Sequence, residues 1–396
     1  MNTKKKIIII IWCLLIIFIA NLYRIIYHNS AKQNIILFNW GEYIDPKIIS
    51  DYNNQSKNFI IKQNFFSSNE IAINKIKTGD IYDIAILSEY AIEQLKDNYL
   101  NKIDRNKLTC YPELNQNFQK IQKDKLPNNI KEYIIPYFWG KLGFLYNKNK
   151  ISREQISKNW TQILPNNNYK VALYNNPFEG IFIGLKATQG NISQATPTEI
   201  IKAKDWLLNL KQKNKNLFFV TDQILDNMRI SNQERYDIAV TYSGDARYLM
   251  KQNPNLEYYD FDNQENNIYQ TNIWVDSLVL PKGSNITGAY DFINFLLKTS
   301  NLKQNALFVG YDSPYENINE NDDILKININ KKDNIYKYNV QTKKQINDAW
   351  NEIYAYPRPQ DKYLLLLSFI IIIFFLIIKL KINLPKNNKF FIIKYK

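Results

Sequence analysis

Apolar positions along the middle of the chain come in two spacings, and their alternation predicts the architecture. Ile35–Trp40 is a short continuous apolar run, which reads as a buried strand, and Asp45-Pro46 opens a helix over Pro46–Asn53. Asn58–Gln63 alternates as a strand, Asn69–Lys77 has helical spacing, and Tyr82–Leu87 again reads as a strand. A second series follows, with a strand at Lys170–Tyr174 and helices at Pro177–Lys186 and Pro197–Lys213. Strands at Leu217–Val220, Asp237–Thr241 and Thr271–Leu280 and helices at Ala289–Lys298 and Lys344–Tyr354 complete it. This βαβαβ order predicts an α/β fold with a parallel sheet covered by helices on both faces. No internal repeat or low-complexity tract interrupts it.

Two further apolar runs lie outside this pattern, at the ends. Lys4, Lys5 and Lys6 precede an uncharged stretch from Ile7 to Ala20, which predicts a membrane anchor or signal over residues 1–33. An uncleaved signal-anchor fits best, because no small-residue cleavage pattern follows and Trp12 disfavours lipid attachment at Cys13. Tyr363–Ile378 is the second run, slightly short of the roughly 20 residues of a spanning helix, with Lys379 and Lys381 placed to snorkel. A C-terminal transmembrane helix and basic cytoplasmic tail are therefore expected over residues 357–396. Lysines flank both runs, so the positive-inside rule predicts cytoplasmic termini, two spans in the lipid bilayer and residues 34–356 outside.

Charge changes meaning once the ends are set aside. The formal net charge is +14, which invites a nucleic-acid reading. Residues 1–33 hold five Lys/Arg and no acid, and residues 357–396 hold eight against one Asp. Removing these from 51 basic and 37 acidic residues leaves 38 and 36 in the body. No nucleic-acid partner is expected. Cys110 is the one cysteine of the body, expected as a small buried apolar residue, so no disulfide forms there. The single histidine, His28, precedes the body, which excludes Ser–His or Cys–His hydrolysis there. A chain with 11 glycines and no Gly-rich phosphate loop offers no nucleotide site, and no metal or cofactor is expected. Only carboxylate chemistry is left to an enzyme.

Ligands of parallel sheets bind at the carboxyl ends of the strands. Those ends carry Asn39-Trp40-Gly41-Glu42-Tyr43, Ser88-Glu89-Tyr90, Asn175-Asn176-Pro177-Phe178-Glu179 and Tyr242-Ser243-Gly244-Asp245. Trp274 and Asp276 share one face of the long strand. An aromatic ring beside a carboxylate recurs in each. Rings sandwich methylenes and attract ammonium groups by cation–π contact, while carboxylates accept charge-assisted hydrogen bonds from them. The pattern suits a small organic polycation.

Several motifs, in register from about Ile35 to Tyr354, resemble those of the bacterial spermidine/putrescine-binding proteins, the substrate-capturing subunits of polyamine ABC transporters. They are Phe38-Asn39-Trp40-Gly41-Glu42-Tyr43-Ile44, Lys77-Thr78-Gly79 with Tyr82-Asp83-Ile84, and Leu87-Ser88-Glu89-Tyr90. Ile135-Pro136-Tyr137-Phe138-Trp139-Gly140 with Gly143 and Tyr146-Asn147, Trp274-Val275-Asp276-Ser277-Leu278, and Gly310-Tyr311-Asp312-Ser313-Pro314 complete the set. The resemblance implies a two-lobed periplasmic-binding-protein-like fold with strands crossing between lobes, beside the N- and C-terminal transmembrane helices. Lobe 1 would be residues 34–139 and 275–320, and lobe 2 residues 140–274 and 321–356. It implies an aromatic box of Trp40, Tyr43, Tyr90 and Trp274, with Tyr242 where relatives often have Trp. Asp276 and Glu179 would accept ammonium groups, with Glu42 and Ser88 alongside and Thr221, Tyr311 and Tyr336 as edge contacts.

Two departures stand out. Asn176 occupies a position where the spermidine binder has Asp, and Glu89 is placed to compensate. One carboxylate fewer tilts the expected ligand toward putrescine or another short diamine. The C-terminal span is the other departure. The expectation is a monomeric binding protein without catalysis, whose partners are a polyamine, a permease and its ATPase. Its rivals are a binder of another cationic or amino-acid ligand, a membrane-anchored adhesin, and a carboxylate enzyme.

Overall fold

A computed structural model describes residues 12–22, 32–220, 223–261, 271–318, 325–357 and 359–382. The strands are β1 (Gln33–Trp40), β2 (Phe59–Phe66), β3 (Ile84–Ser88), β4 (Leu100–Asn101), β5 (Ile135–Asn147) and β6 (Val171–Tyr174). They continue with β7 (Leu217–Val220), β8 (Ile238–Tyr242), β9 (Leu256–Tyr259), β10 (Asn272–Pro281) and β11 (Asn334–Ile335). Their order is β2-β1-β3-β10-β5-β8-β6-β7, with β4 and β11 on β10 and β9 on β5.

The βαβ units form as the apolar spacing predicts, and their helices start on named caps. Asp45 and Asn176 each accept a backbone N–H through a side-chain oxygen and are followed by Pro, whose fixed φ suits the first helical turn. Thr196 and Glu199 make a reciprocal capping box before Pro197–Lys213. Asp83 does similar work between elements. Its carboxylate accepts from Ile36 N at 2.6 Å and Asn285 N at 2.7 Å, fastening β1 to the turn before the helix Ile286–Leu296.

The expected parallel pairing holds within each βαβ series but not at the crossing strands. β2-β1-β3 and β7-β6-β8 are parallel sets, but β10 runs antiparallel to both β3 and β5, and β5 antiparallel to β8. A strand that returns from the other half of the molecule enters from the opposite end, so direction reverses at the crossing. β5 is buried along its whole length and exchanges partners midway: Ile135–Lys141 pairs with β10, Leu142–Tyr146 with β8. Two lobes joined by crossing strands result. Apolar residues close a core on each lobe, one around Ile35, Leu37, Ile86 and Phe292, the other around Phe144, Leu173, Ile183 and Trp350.

Buried ion pairs tie the crossing. Lys141 on β5 is fully buried and meets Asp260 at 2.6 Å and Asp333 at 3.0 Å. Arg247, on the helix Ser243–Gln252, donates to both Asp312 oxygens at 3.0 Å and to Gly310 O at 2.6 Å.

The expected transmembrane helices are overturned: among the described residues, no helix is long and apolar enough to cross a membrane. The C-terminal helix Pro359–Ile382 is long, but Asp361 and Lys362 close its apolar run on one side and Lys379 and Lys381 on the other. The uncharged part rises about 24 Å, short of the roughly 30 Å hydrocarbon core. At the other end residues 12–22 are helix, and residues 1–11 and 23–31 of the expected anchor, His28 included, lie outside the described residues. The predicted cytoplasmic termini and bilayer contact rested on those spans and are left without support. Cys110 also departs from expectation: it is exposed, in the loop that follows the short helical turn Arg105–Lys107.

Gly244 shows how closely the halves approach. A Cβ there would stand 2.2 Å from the Tyr311 ring. Gly244→Ala should therefore lose roughly 1–3 kcal/mol by overpacking, measured as a lower urea midpoint at unchanged slope.

Candidate functional site

Strand register assembles the site. Asp276 on β10 lies directly opposite Ser88 on β3, and Ser88 Oγ donates to Asp276 Oδ1 at 2.6 Å. Asn69, at the start of its helix, donates through Nδ2 to Ser88 Oγ at 2.9 Å, so a buried relay aims the carboxylate. Trp274 lies opposite Gly140 on β5, where any Cβ would meet Ser243 Oγ at 2.7 Å and the indole at 2.8 Å. Glycine there lets the ring lie against the strand.

These residues border one cavity of about 1070 Å³. Trp40, Glu42, Tyr43, Ser88, Glu89, Tyr90, Asn176, Glu179, Tyr242, Trp274, Asp276, Tyr311 and Tyr336 all line it. Thr221 lies outside the described residues. Aromatic rings form a row: Tyr43 to Tyr311 at 5.5 Å, Tyr311 to Trp274 at 4.9 Å and Trp274 to Tyr242 at 5.5 Å between centroids. Tyr242 donates a short hydrogen bond to Glu179 Oε1. Tyr90, Phe178 and Tyr336 make a second cluster, with centroids 5.1 and 4.6 Å apart from Phe178.

Sequence reasoning left out Tyr174 and Asn69, and it quoted Asp245 at a strand end without carrying it into the named ligand residues. Tyr174 and Asp245 line the cavity, and the Tyr174 hydroxyl reaches Asp245 Oδ2 at 3.4 Å. Asp245 stood in the quoted strand-end segment and is its only acid, which was the available signal. Asn176 has a definite structural role, because its Oδ1 accepts from Phe178 N at 2.9 Å and caps the helix Pro177–Ala187 while facing the cavity. Glu42 is exposed at the mouth with φ at 52°, the left-handed region.

No lysine or arginine is among the described residues lining the cavity, and three of its acids, Asp276, Glu179 and Glu89, are destabilised as anions. Burial pushes Asp276 up to about 6, against the pull of the Ser88 and Tyr43 hydroxyls. Burial raises Glu179 to about 7, opposed by the Tyr242 hydrogen bond. Its Oε2 is shut off from solvent with no hydrogen-bond partner, although the residue as a whole is partly exposed. Glu89, 2% exposed, rises to about 8 through burial even though Val275 N donates to it at 2.8 Å. Such a site is short of positive charge, and a cationic guest would supply it.

The profile of the family described as bacterial extracellular solute-binding protein matches residues 48–328. The chain belongs to that family. These are substrate-binding proteins of transporters, not enzymes, and the family is extracytoplasmic. The chain is 26% identical over 292 residues to a spermidine/putrescine-binding periplasmic protein of Salmonella typhimurium, covering 72% of this chain and 79% of the relative. A solved spermidine/putrescine ABC transporter protein of Listeria monocytogenes superimposes with a TM-score of 0.68 at 27% identity, covering 82% of this chain and 100% of that one. The substrate-binding protein of a spermidine/putrescine ABC transporter from Streptococcus pneumoniae gives 0.63 at 28%, with 82% and 99% covered.

The raised acids predict a pH dependence. Each holds its proton in the fold to a higher pH than in the unfolded chain, so folding is favoured at low pH. That contribution is lost as pH rises from the ordinary carboxylate range through about 6 for Asp276, 7 for Glu179 and 8 for Glu89. The Tm of the ligand-free solute-binding protein should fall between about pH 5 and about pH 8, and Glu89→Gln should reduce the fall.

Proposed function

We propose that this solute-binding protein captures a polyamine bearing two ammonium groups in the cleft between its lobes and delivers it to an ABC importer. The observation that carries the reading is the aromatic row with an acid at each end. Asp276 lies beside Tyr43 at one end, and Glu179 is bonded to Tyr242 at the other. Rings along the row suit methylenes and the two carboxylates suit terminal ammonium groups. Relatives named for spermidine and putrescine support the ligand class.

Asn176 contributes a cap and no charge, which favours putrescine or another short diamine. Trp40, Tyr90 and Tyr311 complete the aromatic walls, with Glu42, Ser88, Glu89, Thr221 and Tyr336 as further contacts. Lobe 1 comprises residues 34–139 and 275–320, and lobe 2 residues 140–274 and 321–356. The protein works as a monomer, and its closed form docks on a permease driven by a separate ATPase. Binding ionises the raised acids, so protons leave as the ligand enters and affinity rises with pH toward neutrality.

Calorimetry with putrescine, spermidine and spermine tests the reading, and absence of heat with all three overturns it. Asp276→Asn keeps the hydrogen bond from Ser88 but removes the charge. It should weaken putrescine binding by about 1.5–3 kcal/mol, roughly ten- to a hundredfold, with the Tm of the ligand-free protein unchanged or higher.

A further inference from the structure

Three buried polar residues from three elements stand in line at one end of the cavity. Asn69 begins the helix Asn69–Lys77, Ser88 ends β3 and Asp276 lies on β10, and all three side chains are buried. The direction of the protons along this line is set at Asn69. Ser88 N can only donate, so Asn69 presents Oδ1 to it, at 3.3 Å. The Asn69 amide nitrogen then falls to Ser88 Oγ, at 2.9 Å. That nitrogen also only donates, so it takes a lone pair of the hydroxyl and leaves the hydroxyl proton for another acceptor. Asp276 Oδ1, at 2.6 Å, is that acceptor. A single backbone N–H thereby orients the amide and, through it, the hydroxyl.

The consequence falls on Asp276. Burial disfavours its anion, and Glu89, at the start of the next helix, is a second acid within electrostatic reach. Tyr43, Tyr137 and Tyr311 are the tyrosines that face it. A hydroxyl committed to donating favours the anion over the protonated acid. Once protonated, Asp276 would be a donor itself, and a ligand N–H would lose its acceptor.

We propose that Asn69 is a positioning residue for ligand capture: by committing the Ser88 hydroxyl proton to Asp276, it keeps that end of the cavity an acceptor, open to an ammonium group and closed to a ligand carboxylate. This rests on the polyamine reading above and deepens it. Asn69 itself borders the cavity, but its amide is engaged by Ser88, so it acts through that residue.

Calorimetry with putrescine on the full chain, from about pH 5 to about pH 8, tests this with Asn69→Ala, Ser88→Ala and the two together. Asn69→Ala should weaken binding near neutral pH about fivefold. In the Ser88→Ala background the same change should weaken it less than about twofold, because the route to Asp276 is already cut. Asn69→Ala should also raise the pH at which affinity climbs by roughly half a pH unit, which a loss of packing alone does not do. Should Asn69→Ala unfold the ligand-free protein, Asn69→Ser, which keeps a polar group at the helix start, carries the same test. Equal losses in both backgrounds, or an unmoved pH profile, overturn the inference and leave the polyamine reading standing. No heat with putrescine, spermidine or spermine on the unaltered chain overturns both.

Discussion

Carboxylates buried among aromatic rings, with no cationic side chain among the described residues of the cavity wall, are the constraint around which this protein is arranged. An isolated anion in such surroundings is strongly disfavoured, so the group keeps its proton or waits for a positive partner. Asp276, Glu179 and Glu89 are all pushed upward by burial in this way. At the crossing, buried Lys141 is neutralised internally by Asp260 and Asp333. The cavity lacks that compensation. The fold carries this deficit as potential binding energy, and its strands, caps and glycines hold the acids where a guest of opposite charge can reach them.

The crossing strands make that placement accurate. Asp276 owes its position to pairing with Ser88 across β10 and β3, and Trp274 owes its position to the missing side chain at Gly140. Because β5 pairs with β10 over one half and with β8 over the other, the same strand orients residues on both sides of the cavity. Arg247 and Asp312 reinforce the junction from outside the cavity lining, fixing the Gly244–Tyr311 contact nearby. The cavity wall and the lobe connection thus draw on the same short stretch of sheet.

Much of this was legible in the sequence. Apolar runs located β1, β2, β3, β6, β7, β8 and β10 within a few residues, because buried strands in βαβ units cannot hide their spacing. Aromatic–acid pairs at strand ends pointed to residues that do surround one cavity. Strand direction at the crossing was not legible, since an apolar run reads the same whether its neighbour is parallel or antiparallel. Asn69 was missed because its partner, Ser88, lies across a helix and a strand, and local sequence shows only a polar residue at a helix start. The ends were overread for a related reason: apolarity suggested spans, whereas the charges that bound Tyr363–Ile378 set its length. Cys110 was misjudged from residue type alone, which says nothing about the loop that carries it.

Asn176 has a consequence for how such a protein changes over time. Its oxygen caps a helix, and the oxygen of an aspartate would cap it equally well. Exchange between the two residues requires one nucleotide, alters the cavity by a full charge, and leaves the scaffold intact. The charge of the cavity wall is thereby separated from folding at that codon. Selection can add or remove a carboxylate there without first passing through a damaged protein.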